Sequence, residues 1–351
     1  IDGKTTIGKT INEVVAAIRG PVGTTVNLQV MRKAATGGSE TLSLSIVRGK
    51  VQNREVNWWN LTDGSGRVAV KVDMFGDHVS KEFTQALYQA CTGKAWPASP
   101  SALAQMVNSY NPEQDCASMK GLVIDLRNNP GGRLDQVVEM MQAIIKEGTI
   151  VTTLSREGDQ MIEGKESVTA GDFRRERFVD GKSVKLVTHP RMMRVTPAKL
   201  PIVVIVNEGS ASASELMSSG LQKLGLATVV GTPSFGKEVG QSVNPIDFNA
   251  GLKVTTFRFL PGGVDLGVAV LPDFEATSDL AFRDNPVDNV DNVMVKAEEI
   301  LALGDEALVK AKGADVQARK AEMAKAAKAE HDAREAAMLA AQKAGQSEFD
   351  E

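Results

Sequence analysis

Three serines and one lysine are the residues of this sequence best suited to covalent chemistry. The serines lie in the segment GSASASE at positions 209–215 and are Ser210, Ser212 and Ser214. The lysine is Lys237, which ends the segment FGK. A serine hydroxyl attacks a carbonyl group when a neighbouring base removes its proton, and a neutral lysine amine can act as that base. The two segments therefore predict a nucleophile and a base.

The serines follow an aliphatic run that predicts a buried strand. The run, residues 202–206 (IVVIV), ends in small residues, and a helical pattern with one apolar face begins near Ser214. A serine in such a strand–turn–helix corner lies near a helix N-terminus, where free backbone N–H groups and the helix dipole favour negative charge. This environment suits an attack that creates an oxyanion. Spacing alone does not choose among the three serines.

The residues around Lys237 bear on whether it can act as a base. Burial among apolar side chains favours the neutral amine, and Phe235, Val239 and Val243 are compatible with such burial. Glu238 would oppose it, because a neighbouring carboxylate stabilises the ammonium form. Successive side chains of an extended segment point to opposite faces, so we expect Glu238 to face away from Lys237. The alternative interpretation is a surface lysine in a glycine-rich turn.

A second aliphatic run ends in a glycine turn that could complete such a site. Residues 122–126 predict a buried strand, and the turn NNPGG follows at positions 128–132. Glycine lets a backbone N–H approach a substrate carbonyl closely, so this turn could supply an oxyanion donor. The alternative is a tight turn with no further role. Asp125 and Arg127, which flank the end of the strand, predict a structural ion pair.

Other catalytic arrangements find little support in the sequence. The three histidines are His78, His189 and His331, and none lies in a recognisable catalytic motif. The Gly-x-Ser-x-Gly motif of Ser-His-Asp hydrolases is missing, because Ala213 and Ser214 follow Ser212. No histidine has metal-ligand spacing to a cysteine, so we expect no metal site. The pattern favours a Ser-Lys pair over a triad.

Composition excludes several classes of function. The chain has 351 residues, a formal net charge of −4 and a pI near 5.7, which gives no basic surface for nucleic acid. No apolar run approaches the length of a membrane span. The chain opens at Ile1, inside what the pattern predicts to be a domain, which is typical of a fragment. Cys91 and Cys116 bracket a loop, and an oxidising compartment would pair them whereas a reducing one would leave two thiols.

Three segments together resemble the signature blocks of the carboxyl-terminal processing proteases, also called tail-specific proteases. The blocks are residues 121–132 (GLVIDLRNNPGG), 209–215 (GSASASE) and 235–241 (FGKEVGQ), and they occur in the order of that family. Residues 1–32 resemble the back half of a PDZ domain. The resemblance therefore covers roughly residues 1–275. One departure is Glu238, which stands where the family usually has glycine.

The resemblance implies a role for each residue of a catalytic site. It assigns Ser212 as nucleophile, Lys237 as base, Gln241 as the residue that orients the lysine, and the backbone N–H groups of Gly132 and Ala213 as the oxyanion hole. Gly131 is the close alternative to Gly132. Ser214 is then a helix-capping or first-turn residue, and Glu215 complements the helix dipole.

The implied fold is an α/β architecture of the ββα-spiral type, which the family shares in outline with crotonases and the Clp proteolytic subunit. The predicted divisions are residues 1–50 as the C-terminal part of a PDZ domain, 51–290 as the catalytic core and 291–351 as an Ala/Lys/Glu-rich helical tail. Residues 251–257 and 267–273 resemble the family's last core strands. For residues 1–50 a small α+β module without a binding role is the alternative.

The implied activity is that of a serine endopeptidase that cuts proteins near flexible, apolar carboxyl-terminal tails. It would use no ATP, no metal and no other cofactor. The implied partners are such substrates and an adaptor or a second copy of the chain, and not nucleic acid. The family's usual export predicts a periplasmic or otherwise exported protein and favours a Cys91–Cys116 disulfide. The rival hypotheses are a non-catalytic scaffold that keeps the fold and a crotonase-like acyl-transfer enzyme, for which the sequence offers no coenzyme A site.

Overall fold

The structure is a computed structural model that describes residues 1–33, 38–50, 54–61, 64–246, 250–279, 290–303 and 325. The chain divides into two compact units, Ile1–Arg54 and Glu55–Glu351. No helix among the described residues is long and apolar enough to cross a membrane.

The first unit consists of one helix and one antiparallel pair of strands. Helix α1 (Ile11–Ile18) begins after Thr10, whose hydroxyl accepts from the backbone N–H of Glu13, while the Glu13 carboxylate accepts from the Thr10 N–H. This reciprocal cap satisfies two N–H groups that a helix start leaves open. Strands β1 (Thr25–Lys33) and β2 (Ser39–Val47) pair along their whole length.

The second unit contains the predicted catalytic residues. Its helices are α2 (Val79–Thr92), α3 (Pro100–Ser109), α4 (Pro112–Asp115), α5 (Leu134–Gln142), α6 (Ala213–Lys223) and α7 (Asn292–Ala302). Its strands are β3 (Val56–Asn60), β4 (Arg67–Val72), β5 (Gly121–Asp125), β6 (Gly148–Glu157), β7 (Gln160–Val168), β8 (Asp172–Val179), β9 (Lys182–Pro190), β10 (Ile202–Val206), β11 (Thr228–Gly231), β12 (Val239–Ile246), β13 (Ala250–Pro261) and β14 (Phe274–Glu275). The predicted α/β class is confirmed.

A mostly parallel sheet forms the centre of this unit. Its strand order is β14-β11-β10-β5-β4-β3, and only β3 runs antiparallel to its neighbour. All five residues of β5 and of β10 are buried. Because successive side chains alternate, Val204 and Val206 join one hydrophobic cluster while Val203 and Ile205 join another on the opposite face. A continuous aliphatic run is typical of a strand covered on both faces, which is why both runs were predictable.

Helices cover the two faces of this sheet. On one face Phe83 and Leu87 of α2, Met140 and Met141 of α5 and Leu216 of α6 are fully buried in the larger cluster. On the other face α7 contributes Val293, Met294, Ala297, Ile300 and Leu301 to the smaller cluster. The start of the segment predicted as a helical tail therefore packs on the core sheet. The rest of that predicted tail, apart from residue 303 and Lys325, lies outside the described residues.

The second sheet of this unit is antiparallel, with the order β12-β13-β6-β7-β8-β9. It includes residues 250–261, where a strand was predicted for residues 251–257. The predicted strand at residues 267–273 is wrong. Those residues have irregular backbone in which Ala269 and Val270 are buried, and the short strand β14 begins only at Phe274. The run of apolar residues here marks burial in a loop rather than pairing in a strand.

The two cysteines are joined in a disulfide between Cys91, in α2, and Cys116, just after α4. Both residues are buried, at 4% and 0% exposure. The bridge links α2 to the segment that leads into β5. Because β5 runs directly into the NNPGG turn, the disulfide supports one of the elements that position the predicted site.

Candidate active site

The three serines lie where β10 ends and α6 begins, in the corner predicted from the sequence. Ser212 immediately precedes α6 and has φ 56° and ψ −111°. A positive φ is costly for a residue with a Cβ atom and persists only where the surroundings enforce it. The backbone at Ser212 is therefore held in a strained conformation, as residues at functional sites often are.

Burial and hydrogen bonding distinguish Ser212 from its neighbours. Ser210 and Ser214 are fully buried. The Ser210 hydroxyl donates to the Leu126 carbonyl over 2.8 Å, and the Ser214 hydroxyl donates to the Asn129 carbonyl over 2.9 Å. Ser212 alone of the three is partly exposed. Two of the serines thus join the corner to the turn after β5, and Ser212 is the one that a substrate could reach.

The turn after β5 is fixed by Asn129, which is fully buried. The Asn129 amide donates to the Val72 carbonyl over 2.9 Å, and its side-chain oxygen accepts from the Gly131 N–H over 2.9 Å. The Asn129 carbonyl accepts from the Ala211 N–H over 3.0 Å. One asparagine therefore joins the end of β4, the glycine turn and the Ser212 corner.

The glycines of this turn pack directly against neighbouring backbone. Gly132 has φ 149°, and a Cβ atom there would lie 2.1 Å from the Phe75 carbonyl oxygen. Gly131 has φ 96°, and a Cβ atom there would lie 2.8 Å from the Cβ of Ser212 and 2.9 Å from the Ala213 nitrogen. Only glycine allows both approaches. The turn thus lies directly against the serine corner.

The predicted oxyanion donors, the N–H groups of Gly132 and Ala213, differ in hydrogen bonding from the alternative donor, the Gly131 N–H. The Gly131 N–H donates to Asn129, so it is already occupied. Among the described residues, the N–H groups of Gly132 and Ala213 donate to no acceptor. Backbone donors without an acceptor beside a partly exposed serine are what an oxyanion hole requires. This geometry favours Gly132 over Gly131.

Lys237 lies in the loop that leads into β12, and its amine donates to the Gln241 side-chain oxygen over 3.2 Å. The predicted association of these two residues is therefore present. Lys237 is half-buried, whereas Phe235 and Val243, which were expected to enclose it, are 45% and 66% exposed. The expected apolar enclosure of the lysine is not formed by Val243, because β12 is the edge strand of its sheet and leaves that side open.

Glu215 connects the serine corner to the lysine loop. It is fully buried, and one carboxylate oxygen accepts from the Ser212 N–H over 2.7 Å and from the Lys237 N–H over 2.8 Å. The other oxygen accepts from the Ser234 hydroxyl and the Gly236 N–H, both over 2.6 Å. Burial raises the pKa of Glu215, and these four hydrogen bonds act in the opposite direction. The sequence predicted only that Glu215 complements the helix dipole. Its contacts with the lysine loop were not predicted.

Glu238 is engaged away from the amine of Lys237. Its carboxylate pairs with Arg258, which also contacts Asp265 over 3.1 Å. Burial raises the pKa of Glu238 and the charge of Arg258 lowers it. Burial has the larger effect, so the pKa lies above its ordinary value. The carboxylate that departs from the family pattern is thus bound to a cation on the neighbouring strand β13.

An ion-pair network lies under the turn after β5. Arg127 contacts Asp125 over 2.7 Å and Asp291 over 2.6 Å, and the amine of Lys71 donates to the Arg127 carbonyl over 2.5 Å. Burial raises the pKa of Asp125, but the hydrogen bonds and charge of Arg127 outweigh burial and hold that pKa below its ordinary value. The predicted structural ion pair is present, and Asp291 just before α7 extends it.

The structure brings the predicted site residues into one region. Ser212, Ala213, Gly132 and Lys237 are connected through Glu215 and through the contacts of the glycine turn. The sequence does not reveal Glu215 and Asn129 as connectors, because their partners are distant along the chain. An acidic residue directly after a serine-rich turn is the only sequence signal that pointed to one of them, Glu215. Among the described residues, no group of three metal-ligating side chains comes together.

Comparison with known proteins gives the family. The model described as peptidase family S41 matches residues 70–276. The carboxy-terminal-processing protease of Bartonella bacilliformis is 30% identical over 275 residues, which cover 78% of this chain and 52% of that protein. The carboxy-terminal processing protease CtpB of Bacillus subtilis is 25% identical over 315 residues, covering 87% of this chain and 54% of that protein. This chain therefore spans about half the length of these curated relatives.

Solved structures with a similar chain course include two proteases. The photosystem II D1 C-terminal processing protease aligns with a TM-score of 0.42 at 22% identity, covering 79% of this chain and 61% of that one. An S41 protease of Bacteroides fragilis aligns with a TM-score of 0.46 at 12% identity, covering 80% of this chain and 67% of that one.

Proposed function

Because the chain belongs to peptidase family S41, we propose that it is a serine endopeptidase whose nucleophile is Ser212 and whose base is Lys237. Gln241 orients the lysine amine through the hydrogen bond it accepts. The N–H groups of Gly132 and Ala213 form the oxyanion hole. The dyad uses neither ATP nor a metal.

The reaction follows from these positions. Lys237 takes the hydroxyl proton as Ser212 Oγ bonds to the substrate carbonyl carbon, and the carbonyl oxygen becomes an oxyanion that accepts from Gly132 and Ala213. The C–N bond then breaks, and the leaving amine takes the proton from the Lys237 ammonium. Water attacks the acyl group on Ser212 with Lys237 again as base, which releases the acid and restores the hydroxyl.

The observation that carries this proposal is the shared contact at Glu215. One oxygen of a buried carboxylate lies within 2.8 Å of the backbone nitrogens of both Ser212 and Lys237. The contact with Ser212 is part of the cap of α6 and spans three residues, whereas the contact with Lys237 spans 22 residues, so no local geometry requires the lysine loop to meet the serine corner. The shared contact holds the backbones of a partly exposed serine and of a lysine side by side, beside two backbone donors without acceptors.

The finer assignments rest on the family. We propose that the substrates are proteins with flexible, apolar carboxyl-terminal tails, that the core is a ββα spiral and that residues 1–50 belong to a PDZ domain. We also propose an exported, periplasmic protein, which agrees with the disulfide of Cys91 and Cys116. The relatives named as carboxy-terminal processing proteases support the proposed action on carboxyl-terminal tails.

The test is cleavage of β-casein, an unfolded substrate, by single alanine variants. We expect Ser212→Ala to remove cleavage without changing the thermal unfolding temperature, because its partly exposed hydroxyl lies outside the packed core. Ser210→Ala and Ser214→Ala lose buried hydrogen bonds, and we expect them to lower that temperature while retaining measurable cleavage. Cleavage by the Ser212 variant at the wild-type rate would refute the dyad. A wild-type chain that binds β-casein without cutting it would favour a scaffold.

A further inference from the structure

A polar cavity lies at the carboxyl ends of the parallel strands of the central sheet. Its volume is about 410 Å³, within the range of about 300–1,000 Å³ that is typical of sites for small ligands. The residues that line it come from the ends of β4, β5, β10, β11 and β14 and from the start of α7. Open α/β sheets bind ligands in crevices at this edge. The position of the cavity is therefore that of a ligand site.

This cavity is separate from the candidate active site. It is lined by Val293 of α7, and α7 packs on the sheet face opposite to the face that α6 covers. Neither Ser212 nor Lys237 lines it. Asn128 and Asn207 do line it, and they belong to the two turns that carry the proposed oxyanion donors. The cavity thus lies behind those turns, on the other side of the sheet.

The two asparagines form a wall of the cavity that is fixed by hydrogen bonds. The Asn128 N–H donates to the Asn207 side-chain oxygen over 2.8 Å, and the Asn207 amide donates to the Asn128 side-chain oxygen over 2.9 Å. The Asn207 side-chain oxygen also accepts from the Gly209 N–H over 3.1 Å. Within the part of the chain that the structure describes, the Asn128 amide nitrogen donates to no acceptor. A ligand therefore meets a preformed wall with one available donor.

Lys71 supplies a positive charge to the cavity. Its amine donates to the Arg127 carbonyl and lies 3.5 Å from Asp125. An ammonium group has three N–H donors, and among the described residues the third has no acceptor. The surrounding charges balance, because the two cations Lys71 and Arg127 stand beside the two carboxylates of Asp125 and Asp291. A ligand carboxylate can thus accept from Lys71 without net repulsion.

Glu208 supplies a negative charge to the same cavity. It is exposed, and one of its carboxylate oxygens accepts from the Thr232 hydroxyl over 3.2 Å. In the described ranges no cation pairs with this carboxylate. The Thr232 contact directs the side chain toward the end of β11, and a ligand ammonium group can bind there. The cavity therefore presents one charge of each sign.

The strand order sets the distance between these two charges. Neighbouring strands lie about 4.8 Å apart, and the order β11-β10-β5-β4 places Lys71 of β4 two strands from β10 and three from β11. Glu208 follows β10 and bonds to the residue after β11, so about 10–14 Å separates the two charges. An extended peptide covers about 3.3–3.6 Å per residue, so three or four residues match this span. Val206 and Val293, which are buried, line the cavity with apolar surface for small side chains.

We propose that this cavity binds a peptide of three or four residues with free termini. The peptide carboxylate accepts from Lys71 and Asn128, and the peptide ammonium pairs with Glu208. The source of the ligand rests on the proposed endopeptidase activity, which releases peptides that carry both termini. A free amino acid is too short to reach both charges, and an internal segment of a protein has neither terminus. The cavity therefore selects cleavage products over intact substrates.

The experiment is a calorimetric titration of Ala-Ala-Ala into the Ser212→Ala variant, which the dyad mechanism leaves unable to cleave it. Ala-Ala-Ala amide lacks the carboxylate, so we expect its Kd to be about 10-fold higher. Glu208→Gln, in the same background, keeps an oxygen for Thr232 and removes the charge, which should raise Kd about 3- to 5-fold. Glu275→Gln is the matched control, because Glu275 is an exposed acid at the same sheet edge that does not line the cavity. We expect the control to leave Kd unchanged.

Three results would overturn the inference. The first is an absence of binding by Ala-Ala-Ala, and the second is an equal Kd for the free and the amidated peptide. The third is an equal Kd in Glu208→Gln and Glu275→Gln, which would place the peptide elsewhere on the chain. Alanine that binds as tightly as Ala-Ala-Ala would also contradict the proposed span. Absence of Ser212-dependent cleavage in wild type would refute the proposed function, whereas the titration needs no cleavage and decides the cavity by itself.

Discussion

Replacing Glu215 separates two ways of disturbing the candidate site. Glu215→Ala removes the acceptor of three backbone N–H groups, those of Ser212, Gly236 and Lys237, and of the Ser234 hydroxyl. Glu215→Gln keeps one oxygen, which can still accept from Ser212 and Lys237. Its amide can donate to the Ser234 hydroxyl oxygen, which already accepts from the Val270 N–H.

The number of unsatisfied donors sets the expected loss of stability. Each buried donor without an acceptor costs about 1–3 kcal/mol. Glu215→Gln leaves one backbone N–H, that of Gly236, without an acceptor and should cost about 1–3 kcal/mol. Glu215→Ala leaves four donors without this acceptor, the three backbone N–H groups and the Ser234 hydroxyl, but it also removes a buried charge, so we expect a net loss of about 3–5 kcal/mol. In a domain of this size, 1 kcal/mol lowers Tm by about 2–4 °C.

The effect on catalysis should exceed the effect on stability. A displacement of about 1 Å between reacting groups can reduce a rate about 100-fold, so we expect Glu215→Ala to lower kcat by at least that factor. Glu215→Gln should lose no more than about 10-fold, because the oxygen shared by Ser212 and Lys237 is retained. The measurements are β-casein cleavage and thermal unfolding of the same samples. A folded Glu215→Ala variant with kcat within threefold of wild type, about 0.7 kcal/mol of barrier, would refute the positioning role.

Three further predictions concern the elements that support the site. Arg127 holds the pKa of Asp125 below its value in the unfolded chain. This ion pair therefore stabilises the folded state at pH values above the unfolded pKa, and the stabilisation is lost as pH falls. Asp125→Asn should lower Tm most at pH 7 and progressively less toward a pH of about 3. Gly132→Ala would place a Cβ 2.1 Å from a carbonyl oxygen, so we expect kcat to fall at least about 100-fold, whereas an unchanged kcat would exclude Gly132 as an oxyanion donor. Peptide mapping without reduction should yield one fragment that links Cys91 to Cys116, and a double serine variant should unfold at about 2–4 kcal/mol lower stability; two alkylated thiols in exported protein would contradict this.

The central strands of the fold were predictable because their sequences admit few alternatives. Residues 121–125 and 202–206 are short aliphatic runs bounded by turn residues, and both are fully buried strands of the parallel sheet. Residues 267–273 (GVAVLPD) contain a similar apolar run, yet they lie in irregular backbone. A pattern of apolar residues indicates that a segment is buried. Whether the segment forms a strand depends on a neighbouring strand with which it can pair in register.

The candidate site was predictable in its residue types but not in what holds them together. Spacing alone left Ser210, Ser212 and Ser214 equivalent, and the resemblance to a family was needed to select one. Burial then distinguishes them, because the outer two hydroxyls bond to carbonyls after β5. Those carbonyls are distant in sequence, and a local pattern carries no information about contacts that only the assembled sheet creates.

The two predicted catalytic residues belong to parts of the fold with different packing. Ser212 follows a fully buried strand and precedes a helix that is buried along most of its length. Lys237 precedes an edge strand whose residues are partly or fully exposed. Regions with few buried contacts open more easily than a core strand does, so the lysine loop should be the less constrained partner. Glu215 extends the rigidity of the core to that loop through its contacts with Gly236 and Lys237, which is why a residue that performs no chemistry should control the rate.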